Sequence, residues 1–204
     1  RLEGPLLFLR RTLDVGLNEA VEVRGADGRA RLGRVAAIDE THLTIELLES
    51  SAGLALQETA VRFLGEPIFF GVGPAMLGRV FNGIGEAIDG GPPIPVKKTL
   101  RIEGLPINPV ARATPRDFIE SGITAIDLMN SLVRGQKLPI FSGSGLPGNE
   151  IAARILQQAR AGGQDTPFVV VFAAIGVTQR ERSFFLSQFE ESGAGSRTLM
   201  FLNL

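Results

Sequence analysis

Phe141-Ser142-Gly143-Ser144-Gly145-Leu146-Pro147-Gly148-Asn149-Glu150 lies between a short apolar run, Leu138 to Phe141, and a segment with the period of an amphipathic helix. A glycine-rich turn from strand to helix is where α/β proteins hold phosphate. Glycines let backbone N–H groups converge at the positive end of the helix dipole. Gly143 and Gly148 have the spacing of the phosphate-binding loop, in which four residues separate two glycines and Lys and Ser or Thr follow. The next two positions hold Asn149 and Glu150, so the ammonium and the metal-binding hydroxyl are both missing. Losing one preorganised donor costs on the order of a hundred- to a thousand-fold in rate, and Glu150 adds negative charge. Pro147 supplies no N–H. Glu150 in the first helical turn can itself answer the dipole, worth roughly 0.3–1 kcal/mol at an exposed site. Gly143, Ser144, Gly145, Leu146, Pro147, Gly148, Asn149 and Glu150 thus form a degenerate phosphate loop. A plain glycine-rich strand-to-helix turn is the bland reading of the same residues.

Working outward, helical and strand periods alternate after Pro115. Ile123, Ile126, Leu128 and Leu132 can share a helical face, with Gly135 where a C-cap would lie. Leu138 to Phe141 reads as a strand. Residues 149–161 read as a helix with Ile151, Ile155, Leu156 and Ala159 on one stripe and Arg154, Gln157, Gln158 and Arg160 facing water. Phe168 to Ala174 predicts a strand buried on both faces. A helix from Thr178 to Glu191 and a strand from Thr198 to Leu202 complete two βαβ units and imply a parallel sheet.

Toward the N-terminus the apolar runs are short: Leu6 to Leu9, Val15 to Val23, Arg31 to Ile38, His42 to Leu48 and Ala60 to Leu64. With turn signals such as Ala26-Asp27-Gly28 between them, they predict a small antiparallel β-barrel. Residues 69–109 are rich in Gly and Pro, with interspersed Ile, Leu and Val that suggest a packed connection. The fold class is therefore α/β with an N-terminal all-β part: a barrel over residues 1–67 and a partial nucleotide-binding domain over 68–204.

Composition narrows the function. Of 204 residues 44% are hydrophobic, enough to bury a core. Lys plus Arg at 21 balances Asp plus Glu at 22, so there is no basic excess to track nucleic acid. Without cysteine, and with His42 as the one histidine, there is no thiolate or histidine cluster for a metal. No apolar run approaches the ~20 residues of a membrane helix. The chain opens at Arg1 without methionine and stops at Asn203-Leu204 after a strand-like run, and so reads as a fragment at both ends.

A second constellation, Ala173-Ala174-Ile175-Gly176-Val177-Thr178-Gln179-Arg180-Glu181, lies at a strand's carboxyl end, where open α/β sheets bind ligands. Arg180 and Glu181 are candidates for contact with an anion or a neighbouring subunit. A solvated first helical turn explains them equally well. Phe184, Phe185 and Phe189 read as core, His42 as surface, and Glu190, Glu191, Lys97 and Lys98 as solvated charges.

These stretches resemble the nucleotide-domain subunits of rotary ATPases, most closely the B subunit of the V-type or archaeal-type enzyme. The likeness is carried by Gly4-Pro5-Leu6, Met76-Leu77-Gly78-Arg79-Val80-Phe81-Asn82-Gly83-Ile84-Gly85, Ile88-Asp89-Gly90, residues 105–112, Gly122 to Asp127, and most specifically Val133 to Pro147 continued by Asn149-Glu150-Ile151-Ala152-Ala153. The resemblance implies a RecA-like nucleotide domain. In catalytic relatives the loop keeps its Lys and Thr, and a Glu that polarises the attacking water stands where Val177 stands here. It therefore implies a non-catalytic, regulatory B subunit of a proton-translocating ATPase or ATP synthase head, serving ATP synthesis or ATP-driven proton transport.

Its implied partners are catalytic A subunits, alternating with it in a hexameric ring, and the central stalk. It sits peripherally on the cytoplasmic side of the membrane, reached only through the rest of the complex, and no nucleic acid is involved. No cofactor is required; Gly148, where the family carries larger residues, leaves some room for weak ATP or ADP binding. The interface arginine and the C-terminal helical bundle are expected beyond Leu204. Two alternatives remain: an active hexameric ATPase of an export motor, which needs Lys and Thr at 149 and 150, and a structural module with a vestigial nucleotide domain.

Overall fold

Alternating apolar side chains organise the first part of the chain. The computed structural model describes residues 1–55, 57–104, 106–161, 167–191 and 193–203. Strands β1 (Leu2–Glu3), β2 (Leu6–Arg10), β3 (Glu19–Arg24), β4 (Ala30–Ile38), β5 (His42–Leu47) and β6 (Ala60–Pro67) pair antiparallel in the order β1-β2-β5-β4-β3-β6. In β5, Leu43, Ile45 and Leu47 are buried while His42, Thr44 and Glu46 point outward, as the period-two pattern requires. Register sets Leu7 and Val35 opposite Ile45, and Val21 opposite Phe63. Leu7, Val21, Val23, Val35, Ile45 and Leu47 then form one core. The ladders leave β1 and β6 as edges among the described residues, so the expected barrel is observed as a sheet that hydrogen bonds do not close.

The chain divides into two compact units. One holds Arg1–Gly73, Gly83–Glu86 and Pro95–Gly104; the other holds Pro74–Asn82, Ala87–Ile94 and 105–204. The Gly- and Pro-rich connection contributes to both. Its strands are β7 (Phe69–Val72), β8 (Val80–Asn82) and β9 (Lys98–Arg101). β7 and β9 pair antiparallel in the first unit, while β8 belongs to the second.

The second unit contains β10 (Ile119–Glu120), β11 (Arg160–Ala161), β12 (Val170–Ile175), β13 (Thr198–Asn203), and helices α1 (Thr124–Met129), α2 (Gly148–Gln158) and α3 (Gln179–Glu191). Its parallel sheet runs β12-β13-β8. Ala153 of α2, Phe185 and Phe189 of α3, and Ala174, Met200 and Leu202 of the sheet form its core. The phenylalanines are core residues, as their spacing implies, and His42 is exposed.

Several expectations are corrected here. Leu138 to Phe141 forms no strand: no ladder partner pairs with it among the described residues, and Phe141 is 92% exposed. Among the described residues there is accordingly one βαβ unit, β12-α3-β13, and the third parallel strand comes from residues 80–82. β12 is covered on one face only, since Val171 and Ile175 are 64% and 76% exposed. Helix α1 stops at Met129 because Ser131 takes a positive φ of 52°, so Leu132 does not share its face and Gly135 lies in a later turn. Gln157 does not face water freely, for its Nε2 donates to Gln188 at 3.1 Å. Helix α2 ends at Gln158, and residues 160–161 join β11 instead.

Within the second unit, Asp89 accepts from Arg79 Nη2 at 2.6 Å and from the N–H groups of Val80 and Gly91, both at 3.1 Å. The Arg79 hydrogen bonds hold its carboxyl far below the usual carboxylate range. A folded-state value below the unfolded one means that the unfolded chain binds more protons at acid pH. The pair's contribution is thus present at neutral pH and lost as pH falls through and below about 4. Asp89→Asn should lower Tm at pH 7 and flatten the acid limb of a Tm-versus-pH series; an unchanged acid limb would assign that loss of stability to other carboxylates.

Candidate functional site

The sequence between the two glycines folds as an exposed turn leading into α2. Gly145 sits at φ 82°, a left-handed conformation that favours glycine. Leu146 N–H donates to Gly143 O at 3.2 Å and Gly148 N–H to Leu146 O at 2.8 Å, so two of the loop's donors are engaged internally. Pro147 is the helix N-cap and makes no side-chain capping bond. The Ser142 side chain folds over position 148, where an added Cβ would meet Ser142 Cβ at 3.1 Å. Gly148 is what permits that closure, and a larger residue there has to displace Ser142.

Asn149 turns away from any ligand role. Its Nδ2 donates to Glu181 Oε1 at 3.0 Å. Glu181 is in turn the third residue of α3, where its Oε2 accepts from Thr178 N–H at 2.8 Å and Thr178 Oγ1 at 2.9 Å. Glu181 N–H donates back to Thr178 Oγ1 at 3.3 Å. This is a reciprocal capping box at the start of α3. The Thr178 N–H, the Asn149 amide and the Thr178 hydroxyl together hold the Glu181 carboxyl below its usual range, against the effect of burial. Glu150 and Arg180 are exposed. Val177 is half-buried and packs against the Ala153–Phe185–Met200 core. The structure therefore brings Asn149 and Glu181 together and turns Val177 into the packing.

The Asn149–Glu181 bond was not anticipated, although its signal is present: Thr178-Gln179-Arg180-Glu181 has capping-box spacing. Elsewhere in the same unit, Glu120, Gly122, Gln157, Gln158, Arg160 and Arg197 line a polar cavity of about 500 Å³ that includes no residue of the loop. Among the described residues no three His, Asp or Glu side chains converge as a metal site, and no helix is long and apolar enough to cross a membrane.

Residues 122–204 match the model of the nucleotide-binding domain of the ATP synthase alpha/beta family. Over 99% of its length the chain is 50% identical to the V-type ATP synthase beta chains of two strains of Thermus thermophilus. Residues 122–204 belong to the ATP synthase alpha/beta family. The chain spans 44% of the length of each of those relatives. The loop at 143–150 falls within the matched residues, and the groups present do not fit a triphosphate. No ammonium or hydroxyl follows Gly148, and the carboxylate of Glu150 stands in the first turn.

Proposed function

We propose that this chain is part of the non-catalytic, regulatory B subunit of a V- or A-type rotary ATPase or ATP synthase head, peripheral on the cytoplasmic side of the membrane. The observation that carries the reading is the Asn149–Glu181 hydrogen bond. The residue at the position of the phosphate-binding lysine serves an internal contact between α2 and α3. Val177, at the position of the water-polarising glutamate, serves the core. The subunit needs no cofactor for this role and retains at most weak ATP or ADP binding. It contributes to ATP synthesis or ATP-driven proton transport by pairing with catalytic A subunits in an alternating ring around the central stalk. Arg180, exposed in the first turn of α3, is a candidate interface residue in that pairing.

The experiment is steady-state ATP turnover by the full-length subunit, alone and mixed with the catalytic subunit. The expected result is background turnover alone and robust turnover in the mixture. Appreciable hydrolysis by the isolated subunit would sink the assignment and favour an active hexameric motor.

A further inference from the structure

We propose that the polar cavity at the C-terminal end of α2 is an anion site that takes the phosphate group of a small phosphate monoester between Arg160 and Arg197. The site is separate from the glycine loop, which lies at the other end of the same helix. That helix has 11 residues and is therefore about 16 Å long.

Glu120, Gly122, Gln157, Gln158, Arg160 and Arg197 line the cavity, so every side chain on its wall is polar. The antiparallel β10-β11 pair sets Glu120 directly opposite Arg160. Arg197 reaches the same space from the turn before β13 and is held on two sides. Its Nη2 donates to Gln157 O, one of the last carbonyls of α2, at 3.2 Å, and its guanidinium stands 4.7 Å from the centre of the Phe168 ring. The guanidinium is thereby oriented before any ligand arrives, which removes part of the ordering cost of binding. The turn at Gly122 is fixed as well. Asp127 accepts from the N–H and the hydroxyl of Ser121 at 2.8 and 2.7 Å and from Gly122 N–H at 3.1 Å. Glycine at 122 lets Gln158 lie against this turn, since an added Cβ would come within 2.7 Å of Gln158 Cβ.

The wall is short of negative charge. Among the described residues no ion pair engages Arg160, Arg197 or Glu120, and Arg197 Nε is buried without a hydrogen-bond partner. Two guanidinium groups share one carboxylate, so one positive charge is left over even when Glu120 turns to Arg160. Guanidinium groups that leave bulk water are ordinarily paired, and their planar forks match the oxygens of phosphate. A volume of about 500 Å³ is more than bare phosphate fills and suits a small organic ligand. Glu120 and Gln158 remain for hydroxyl groups on the rest of that ligand. Gln157 and Arg197 are half-buried and Arg160 is exposed, so the ligand enters from solvent and binds with modest affinity.

The test titrates the full-length subunit calorimetrically with ribose 5-phosphate, inorganic phosphate and ribose at low salt. Ribose 5-phosphate should bind with a Kd of about 1 mM or below, inorganic phosphate more weakly and ribose not at all. Arg160 is exposed and meets Glu120 through the backbone ladder, so R160Q should keep the parental Tm. It should weaken ribose 5-phosphate at least about fivefold, and R197Q at least as much. E120Q removes the opposing charge and should tighten inorganic phosphate about twofold to threefold. Absence of binding by both phosphates overturns the site. An affinity that R160Q leaves unchanged also overturns it, because the phosphate then sits elsewhere on the subunit. Ribose binding as tightly as its phosphate overturns it too, by making the cavity a neutral sugar pocket. ATP turnover is untouched by any of these outcomes, so the non-catalytic reading stands or falls separately.

Discussion

Phe185→Ala is expected to remove about 3–5 kcal/mol of stability, the cost of an unfilled aromatic cavity. Phe185 is 4% exposed and lies at the centre of the second core. Its ring stands 4.7 Å from Phe172 of β12 and 5.4 Å from Phe184. Truncation therefore removes the contact that seats α3 on the parallel sheet, together with the aromatic pairing, which adds roughly 0.5–1.5 kcal/mol beyond area. A whole domain has only about 5–15 kcal/mol to lose. Denaturant melting should show an earlier transition, with the midpoint shifted and the slope retained. A shift below about 1 kcal/mol would mean that neighbouring side chains collapse into the gap and that the core is not closely packed. Because the first unit has its own core, built from Leu7, Val21, Val35 and Ile45, a probe placed there should respond less than one placed on α3.

The elements legible in the sequence are those whose partners are near in sequence or whose period is unambiguous. β5 is an example: its alternation fixes both strand and face, and its neighbours β2 and β4 follow from the same rule. α2 and α3 carry apolar stripes that meet at Ala153, Phe185 and Phe189. Leu138 to Phe141 failed for a physical reason: an apolar run becomes a strand only when another strand accepts its hydrogen bonds. The partner of β13 came instead from residues 80–82, more than a hundred positions away, and nothing in the local pattern of Val80-Phe81-Asn82 announces that long-range pairing. Helix α1 stopped early because of a local event, the positive φ at Ser131, that apolar spacing cannot reveal.

The residue types of the loop are legible because they are set by the sequence itself. The absence of a Lys and a hydroxyl after Gly148 is a statement about sequence that no packing can reverse. What spacing could not supply was the destination of the replacement side chain. Asn149 lies 32 positions from Glu181, and only the packing of α2 beside α3 brings them within hydrogen-bonding distance. Gly148 shows the same division. Its identity was visible, but its consequence, the Ser142 side chain lying over the start of α2, requires the folded turn.

Val177→Glu tests whether returning one group can return chemistry. The substitution puts a carboxylate where a half-buried valine packs against the second core. The expected cost is about 2 kcal/mol or more, because a charged group leaves water without a partner. Burial raises the pKa of such a carboxyl above its unfolded value near 4.3. The folded state then binds the extra proton, so the variant's deficit should be largest above that raised pKa and should shrink as pH falls through it. A Tm series from pH 8 to pH 5 against the parent reads this directly. ATP turnover should stay at background throughout, since position 149 still carries an amide bound to Glu181 and position 150 a carboxylate. A Tm unchanged at pH 8 would show that the new side chain escapes the core toward the loop. Turnover above background would show that the remaining groups suffice for hydrolysis, contrary to the non-catalytic reading.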